Sequence, residues 1–195
     1  MSPFPNTVMI DDVLMLRDLK DSDHVPLFEI IQHNKDFFAH KMNWVRTITN
    51  LTDAYGFVLA SLADMRAGIS YTYVMLAEQQ VVGVIIIYLS RLSGKTAQDH
   101  GKNQAESRSG RLGYWLDQRA GGRGLMTRCV QTLSDTLLNS CVLDQVAIHC
   151  ATDNLASNKV ARAAGFTYTH DIKQAEVIGV RTVDHHVYVR DPAGV

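Results

Sequence analysis

Gly121-Gly122-Arg123-Gly124 stands directly before a helix-like stretch, Leu125 to Leu138. That pairing suggests a particular chemistry. Glycines let the backbone approach a ligand closely, and the first turn of a helix carries N–H groups with no partner inside the helix. Those groups and the helix dipole favour an anion. The turn therefore predicts a pyrophosphate on the amides of residues 122–127. Taken alone, the same glycines equally suit a tight strand-to-helix connection with no ligand. A Walker A loop is excluded, because no Gly-Lys-Ser/Thr follows. The Rossmann fingerprint fails at its third glycine, where Thr127 stands.

Other reactive residue types are sparse. The three cysteines, Cys129, Cys141 and Cys150, form neither a Cys-x-x-Cys nor a disulfide framework. Their number and spacing fit a reducing compartment, and the expected location is cytoplasmic. The eight histidines show no metal spacing, and His185-His186 would face opposite sides of a strand. No metal is expected.

The elements that must position this turn follow from pattern. At 195 residues the chain is long enough for one domain with a full core. It is 46% hydrophobic and 20% charged, as ordinary globular proteins are. A net charge of −1 gives no electrostatic ground for stable nucleic-acid binding. No apolar run approaches the ~20 residues of a membrane span, and Met1-Ser2-Pro3-Phe4-Pro5 lacks the basic-then-apolar order of a signal peptide.

Residues 1–12 read as an irregular lead, and Val13 to Arg17 as a first strand. Asp21-Ser22-Asp23 are expected to cap a helix from about His24 to Gln32. Leu51, Tyr55, Val58, Leu59, Leu62 and Met65 recur at helical spacing up to Gly68, with Leu59 and Leu62 expected in the core. Tyr71 to Ala77 and Val81 to Leu89 read as a hairpin across Glu78-Gln79-Gln80. Val84-Ile85-Ile86-Ile87 suggests a strand buried on both faces. Residues 91–109 form a long polar loop, expected to be mobile, with a lid role as a hypothesis.

After the glycine turn, Met126, Cys129, Val130, Leu133 and Leu137 mark the inward face of a helix. A strand from Gln145 to Ala151 and a helix from Asn154 to Ala164 follow. Closing strands at Phe166 to Ile172 and Val183 to Val189 are expected to be antiparallel. The expected class is α+β: one domain over residues 1–195, with a central mixed, mostly antiparallel sheet flanked by helices.

Asp153-Asn154-Leu155-Ala156-Ser157-Asn158, running on to Gly165-Phe166, resembles the second signature of the Gcn5-related N-acetyltransferases (GNAT). The glycine turn resembles that family's pyrophosphate loop, Gln/Arg-x-x-Gly-x-Gly/Ala. Asn34-Lys35, Asn43-Trp44, Gly113-Tyr114-Trp115-Leu116-Asp117 and Lys173-Gln174-Ala175-Glu176 look like the RimL branch, which acetylates α-amino groups. The likeness runs from about Leu14 to Tyr188. Within the branch the chain also resembles acetyltransferase domains that give self-immunity to microcin C, whose acceptor is a processed aminoacyl nucleotide.

The resemblance implies acetyl-CoA as cofactor, touched by Trp115, Leu116, Gly122, Arg123, Gly124, Leu125, Met126, Thr127, Asn154 and Asn158. Acetyl transfer to an amine requires the amine to lose a proton, an oxyanion to be stabilised and a thiolate to gain a proton. Ser157 is the implied acid. Many relatives carry a Tyr one turn later, where Ala161 stands here, and positions four apart share a helix face. The bland alternative is a surface serine or a local cap bond. Glu176 is the implied base, against the alternative of a solvated surface carboxylate. Cys150 is expected to be an inert lining residue, since a buried thiol without a base stays protonated.

Trp44 and Phe57 are expected near the acceptor, either packed or stacking on a nucleobase at about 1–3 kcal/mol per base. Arg111 stands where RimL-like proteins often carry an acid, and it could pair with an acidic or phosphate-bearing acceptor. Gly121 and Met126 depart from the loop signature. The implied partners are a small-molecule amine acceptor, an aminoacyl nucleotide, or a peptide N-terminus, with the protein a monomer or homodimer. A non-catalytic acyl-CoA-binding module is the alternative of another class. It would keep the glycine turn and have no use for Ser157 or Glu176.

Overall fold

The computed structural model describes residues 3–92 and 107–192. One eight-stranded sheet runs in the order β1-β2-β3-β4-β5-β6-β8-β7. Its strands are β1 (Thr7–Met9), β2 (Leu14–Asp18), β3 (Ser70–Ala77), β4 (Gln80–Leu92), β5 (Ser107–Leu116), β6 (Gln145–Ala151), β7 (Thr167–Ile178) and β8 (Arg181–Arg190). The helices are α1 (His24–His33), α2 (Lys35–Ala39), α3 (Leu51–Ala67), α4 (Leu125–Asn139) and α5 (Leu155–Ala163). Every strand pairing is antiparallel except β5 with β6. The expected α+β class and mixed sheet are what the chain adopts.

Strand alternation sends side chains to two separate cores. Ile85, Ile87, Leu112, Val146 and Ile148 pack under Cys129, Val130, Leu133 and Leu137 of α4. Val74, Val84 and Trp115 pack on the other face under Ile30 and Ile31 of α1 and Val58 of α3. The Val84 to Ile87 run thus contributes to both cores, as its continuous apolar pattern suggested.

Several expectations change. Residues 1–12 are not simply an irregular lead: Thr7–Met9 pairs with β2, Phe4 stacks on Tyr71 at 4.7 Å, and the Tyr73 hydroxyl donates to the Pro5 carbonyl at 2.8 Å. Three residues are too few to show a strand period. Asp23 stands at the N-cap of α1, as expected, but its side chain makes no cap hydrogen bond. The Arg17 guanidinium holds both its oxygens, at 2.6 and 2.7 Å, which fastens the turn to β2. On α3 the inward positions are Ala54, Val58 and Ser61, while Leu59 is exposed and Leu62 partly buried. The apolar stripe there splits in two, and the small residues Ala54 and Ser61 are the ones set against the sheet. The ends of the expected 91–109 loop are strand: Arg91 and Leu92 belong to β4, and Ser107 to Ser109 to β5. The rest of that loop, with its lid hypothesis, lies outside the described residues.

Candidate active site

The sheet divides at its one parallel pairing. β5 and β6 are in register only from Ser109↔Gln145 to Leu112↔Ile148. Beyond that, β5 continues to Leu116 paired with β4 alone, and β6 continues to Ala151 paired with β8 alone. Between the diverging ends, backbone N–H and C=O groups have no strand partner and are open to a ligand with amide groups. A cleft of 230 Å³ runs through this split. Its walls include Trp44, Arg111, Tyr114, Ser157, Glu176 and His185.

On one side of the split sits the glycine turn. Gly122 and Gly124 have φ of 75° and 70°, and a Cβ on either would meet nothing within 4 Å. The backbone here is both left-handed and open to a ligand. Gly124 is the N-cap of α4 and no side chain caps it, so the N–H groups of Leu125, Met126 and Thr127 have no partner in the helix. The Leu125 and Met126 side chains are buried in the core, and Arg123 reaches back to Glu78 at 3.3 Å. This turn offers a ligand its backbone.

The turn is anchored through Asp117, which is buried. Asp117 accepts from Arg119 at 2.6 Å and from the Asn34 amide at 3.2 Å, and Asn34 accepts from the Gln118 N–H at 3.0 Å. Burial opposes the Asp117 charge, but the Arg119 guanidinium and the neighbouring N–H groups outweigh it and hold the carboxyl below the usual range.

On the same side, Asn154 caps α5 by accepting from the Ser157 N–H at 3.3 Å, as expected of a helix-opening Asn. Ser157 Oγ lies 2.9 Å from the Tyr114 hydroxyl. Asn158 departs from its expected cofactor role. It donates to the carbonyls of Ala151 and Asn154 at 3.0 and 2.9 Å and accepts from the Tyr188 hydroxyl at 2.9 Å and the Cys150 thiol at 3.5 Å. Every polar position of its amide is thereby used in tying α5 to the sheet. Burial pushes the Cys150 thiol up, which suits an inert lining residue.

Alternation places Arg111, His149, His185 and Glu176 on the opposite side of the split, together with Trp44, and Lys41 reaches from there to donate to Asn154 Oδ1 at 3.5 Å. Glu176 is not on a surface loop. β7 runs through it, with an irregular register between Ile172 and Glu176 and a positive φ at Gln174. Asp184 fastens this bulge by accepting from the Gln174 N–H at 2.9 Å and Lys173 Nζ at 2.8 Å. Such a bulge re-aims the next side chain. Here Glu176 lines the cleft, with Oε2 at 3.3 Å from His185 Nε2.

Arg111 lies over the Tyr88 ring at 4.8 Å. Burial, together with Arg111 and two nearby histidines, pushes the His149 pKa below its usual value. Trp44 and Phe57 do not form an open clamp. Their rings stack on each other at 5.2 Å and 5° apart in plane, with Trp44 on the cleft and Phe57 behind it. Trp115 is buried between Phe38 and Trp44.

Tyr114, Lys41, His149 and His185 were not singled out as functional from sequence. Strand parity around Gly113-Tyr114-Trp115 could have sent Tyr114 toward α5. The other three come together only through the sheet order.

The match to a family model settles the class: residues 14–167 fit the Acetyltransferase (GNAT) domain. The chain belongs to the GNAT acetyltransferases. The ribosomal-protein-serine acetyltransferase of Escherichia coli K12 is 26% identical over 184 residues, 94% of this chain and 96% of that protein. Among solved structures, RimL, a ribosomal L7/L12 α-N-protein acetyltransferase in complex with coenzyme A, is similar with a TM-score of 0.84 at 23% identity, covering 95% of this chain and 97% of that one. The microcin C7 self-immunity acetyltransferase MccE, in complex with acetyl-CoA and AMP, is similar with a TM-score of 0.81 at 23% identity, covering 97% and 98%. The protein is an acetyltransferase enzyme, and its acetyl donor is acetyl-CoA. The uncapped α4 start and the open strand edges fit that donor. Among the described residues, no helix is long and apolar enough to cross a membrane.

Proposed function

We propose that this GNAT enzyme acetylates the α-amino group of an aminoacyl nucleotide or a related peptide-nucleotide antibiotic, in self-immunity or detoxification. The observation that carries the reading is the charge of the acceptor side. Arg111 and Lys41 line it with His149, and Glu176, the one carboxylate on the cleft walls among the described residues, lies against His185. Such a wall favours an acceptor whose amine lies near an anionic group, through charge-assisted hydrogen bonds. A base would stack on the cleft face of Trp44.

Acetyl-CoA, when bound, supplies an activated thioester. The N–H groups of Leu125, Met126 and Thr127 bind its diphosphate, and the free edges of β5 and β6 hold its amide arm. Glu176 takes the proton from the acceptor nitrogen, with His185 orienting its carboxylate. Ser157 delivers a proton at the leaving sulfur. Holding amine and thioester in line across the split removes the need for a covalent acyl-enzyme. The three unpaired cysteines accord with work in a reducing compartment, the cytoplasm.

A second reading, acetylation of a ribosomal-protein N-terminus, is favoured by the likeness to the E. coli enzyme along nearly the whole chain. A thiol-release assay with acetyl-CoA separates the two, comparing a seryl sulfamoyl-adenosine with a Ser-starting peptide. Turnover of the nucleotide is the expected result. Turnover of the peptide alone would replace the first reading with the second.

A further inference from the structure

We propose that Tyr114 is the positioning residue for proton delivery by Ser157, contributed from strand β5 in place of a helix tyrosine. The inference rests on the acid role of Ser157 proposed above.

A serine hydroxyl is a far weaker acid than the thiol it must protonate, so a bare Ser157 is a poor donor. Where many relatives carry a tyrosine one turn along the helix, this chain has Ala161, fully buried in the core beneath α5. It brings no hydroxyl to the cleft. The phenol comes instead from β5, on the same side of the split. Tyr114 Oη lies 2.9 Å from Ser157 Oγ and 3.3 Å from the Ser157 carbonyl, and both side chains line the cleft. The Cys150 thiol also lies within reach of Ser157 Oγ.

Burial pushes the Tyr114 pKa well above the usual tyrosine value, only partly offset by the bond to Ser157. The phenol is therefore a neutral donor through the working pH range. Either hydroxyl of the pair can donate at this separation, and in the proposed step the phenol donates to Ser157 Oγ. That leaves the serine proton directed at the leaving sulfur, and the bond strengthens as negative charge grows on Oγ. As the amine nitrogen bonds to the acetyl carbon and the C–S bond breaks, that bond's electron pair stays on sulfur and the Ser157 proton moves to it. Ser157 regains a proton from water in the cleft, and the hydroxide left is neutralised by the amine proton that Glu176 took up. Tyr114 keeps its own proton throughout.

The test is a double-mutant cycle of Tyr114→Phe and Ser157→Ala, read as kcat and KM by thiol release with whichever probe acceptor the wild type turns over. Coenzyme A affinity is measured in parallel by calorimetry. Y114F is expected to lower kcat by about tenfold or more, below the 10²–10⁴ of a full general acid. The KM for acetyl-CoA and the coenzyme A affinity should stay within about twofold, and in the S157A background Y114F should cost nothing further. Wild-type kcat in Y114F, or the same loss repeated in the S157A background, would overturn the proposal alone. No wild-type turnover of either probe would remove the function on which it rests, and would be seen before any variant is made.

If Y114F fails to fold, a fluorotyrosine at position 114 keeps the ring and makes the phenol more acidic. The kcat of that variant should then fall at alkaline pH, where the wild type holds, and superimposable pH profiles would overturn the proposal.

Discussion

The two sides of the split sheet offer a ligand different groups. On the side covered by α4 and α5, the groups on offer are backbone: the amides after Gly124 and the unpaired edges of β5 and β6. The side chains of Leu125 and Met126 are buried, and Arg123 is engaged with Glu78. On the side covered by α1 and α3, the groups on offer are side chains: Trp44, Lys41, Arg111, His149, His185 and Glu176 line the cleft. Backbone recognition tolerates loss of side chains and fails when chain geometry changes. Side-chain recognition does the reverse, and can be retuned one residue at a time.

Mutations can break this contrast. The largest effect is expected from Ser157→Ala combined with Glu176→Gln, which should lower kcat by about 10³-fold or more while coenzyme A affinity barely moves. A matching loss of affinity would show that the two residues hold the donor rather than move protons. Next comes Gly124→Val. A β-branched residue at φ of 70° costs about 1–3 kcal/mol, so coenzyme A should bind about tenfold more weakly or worse by calorimetry. Arg123→Ala should change that affinity less than about threefold, since an exposed pair is worth about 0–1 kcal/mol. If Arg123 mattered more than Gly124, the backbone account of that side would be wrong. Arg111→Ala should raise KM for an anionic acceptor about tenfold, within the worth of one charge-assisted bond, and leave KM for acetyl-CoA unchanged.

Smaller effects sharpen the picture. Asp117→Ala leaves buried donors of Asn34 and the 117–119 turn without an acceptor. It should lower stability by about 1–3 kcal/mol in denaturant titration. Because the folded Asp117 carboxyl sits below its unfolded value, its contribution is present above the usual carboxylate pKa of about 4 and is lost as pH falls through the lower folded value. A midpoint difference between wild type and Asp117→Ala that did not shrink on acidification would contradict this. The smallest signal is His149, whose ring should titrate below the usual histidine value of about 6.5 by NMR. A value at or above the usual one would mean that burial and Arg111 do not act on it as described.

The same contrast governs what could be read from the sequence. The backbone side is local: the glycine turn, α4 and the Asn154-to-Phe166 stretch are contiguous, so periodicity and capping residues marked them before any coordinates. The other side is assembled from residues far apart. Arg111, His149 and His185 meet because β6 lies between β5 and β8, and Lys41 joins them from the segment after α2, an arrangement that no local pattern encodes. Glu176 was identified by resemblance, but its aim depends on a bulge at Gln174, a non-glycine residue at positive φ. The Trp44 and Phe57 rings were found as a pair, but not that they stack on each other. Asn158 shows the converse error. A motif residue next to a binding helix looked like a ligand contact, but its amide is used up in holding α5 in place.

The central claim is that this split delivers acetyl to an α-amine presented on the side-chain wall. The most direct measurement uses lysyl sulfamoyl-adenosine, which carries an α- and an ε-amine in one molecule, with acetyl-CoA and tandem mass spectrometry to locate the new acetyl group. The account requires acetyl on the α-nitrogen, with little or none on the ε-nitrogen. Acetyl mainly on the ε-nitrogen, or none on either, would contradict it.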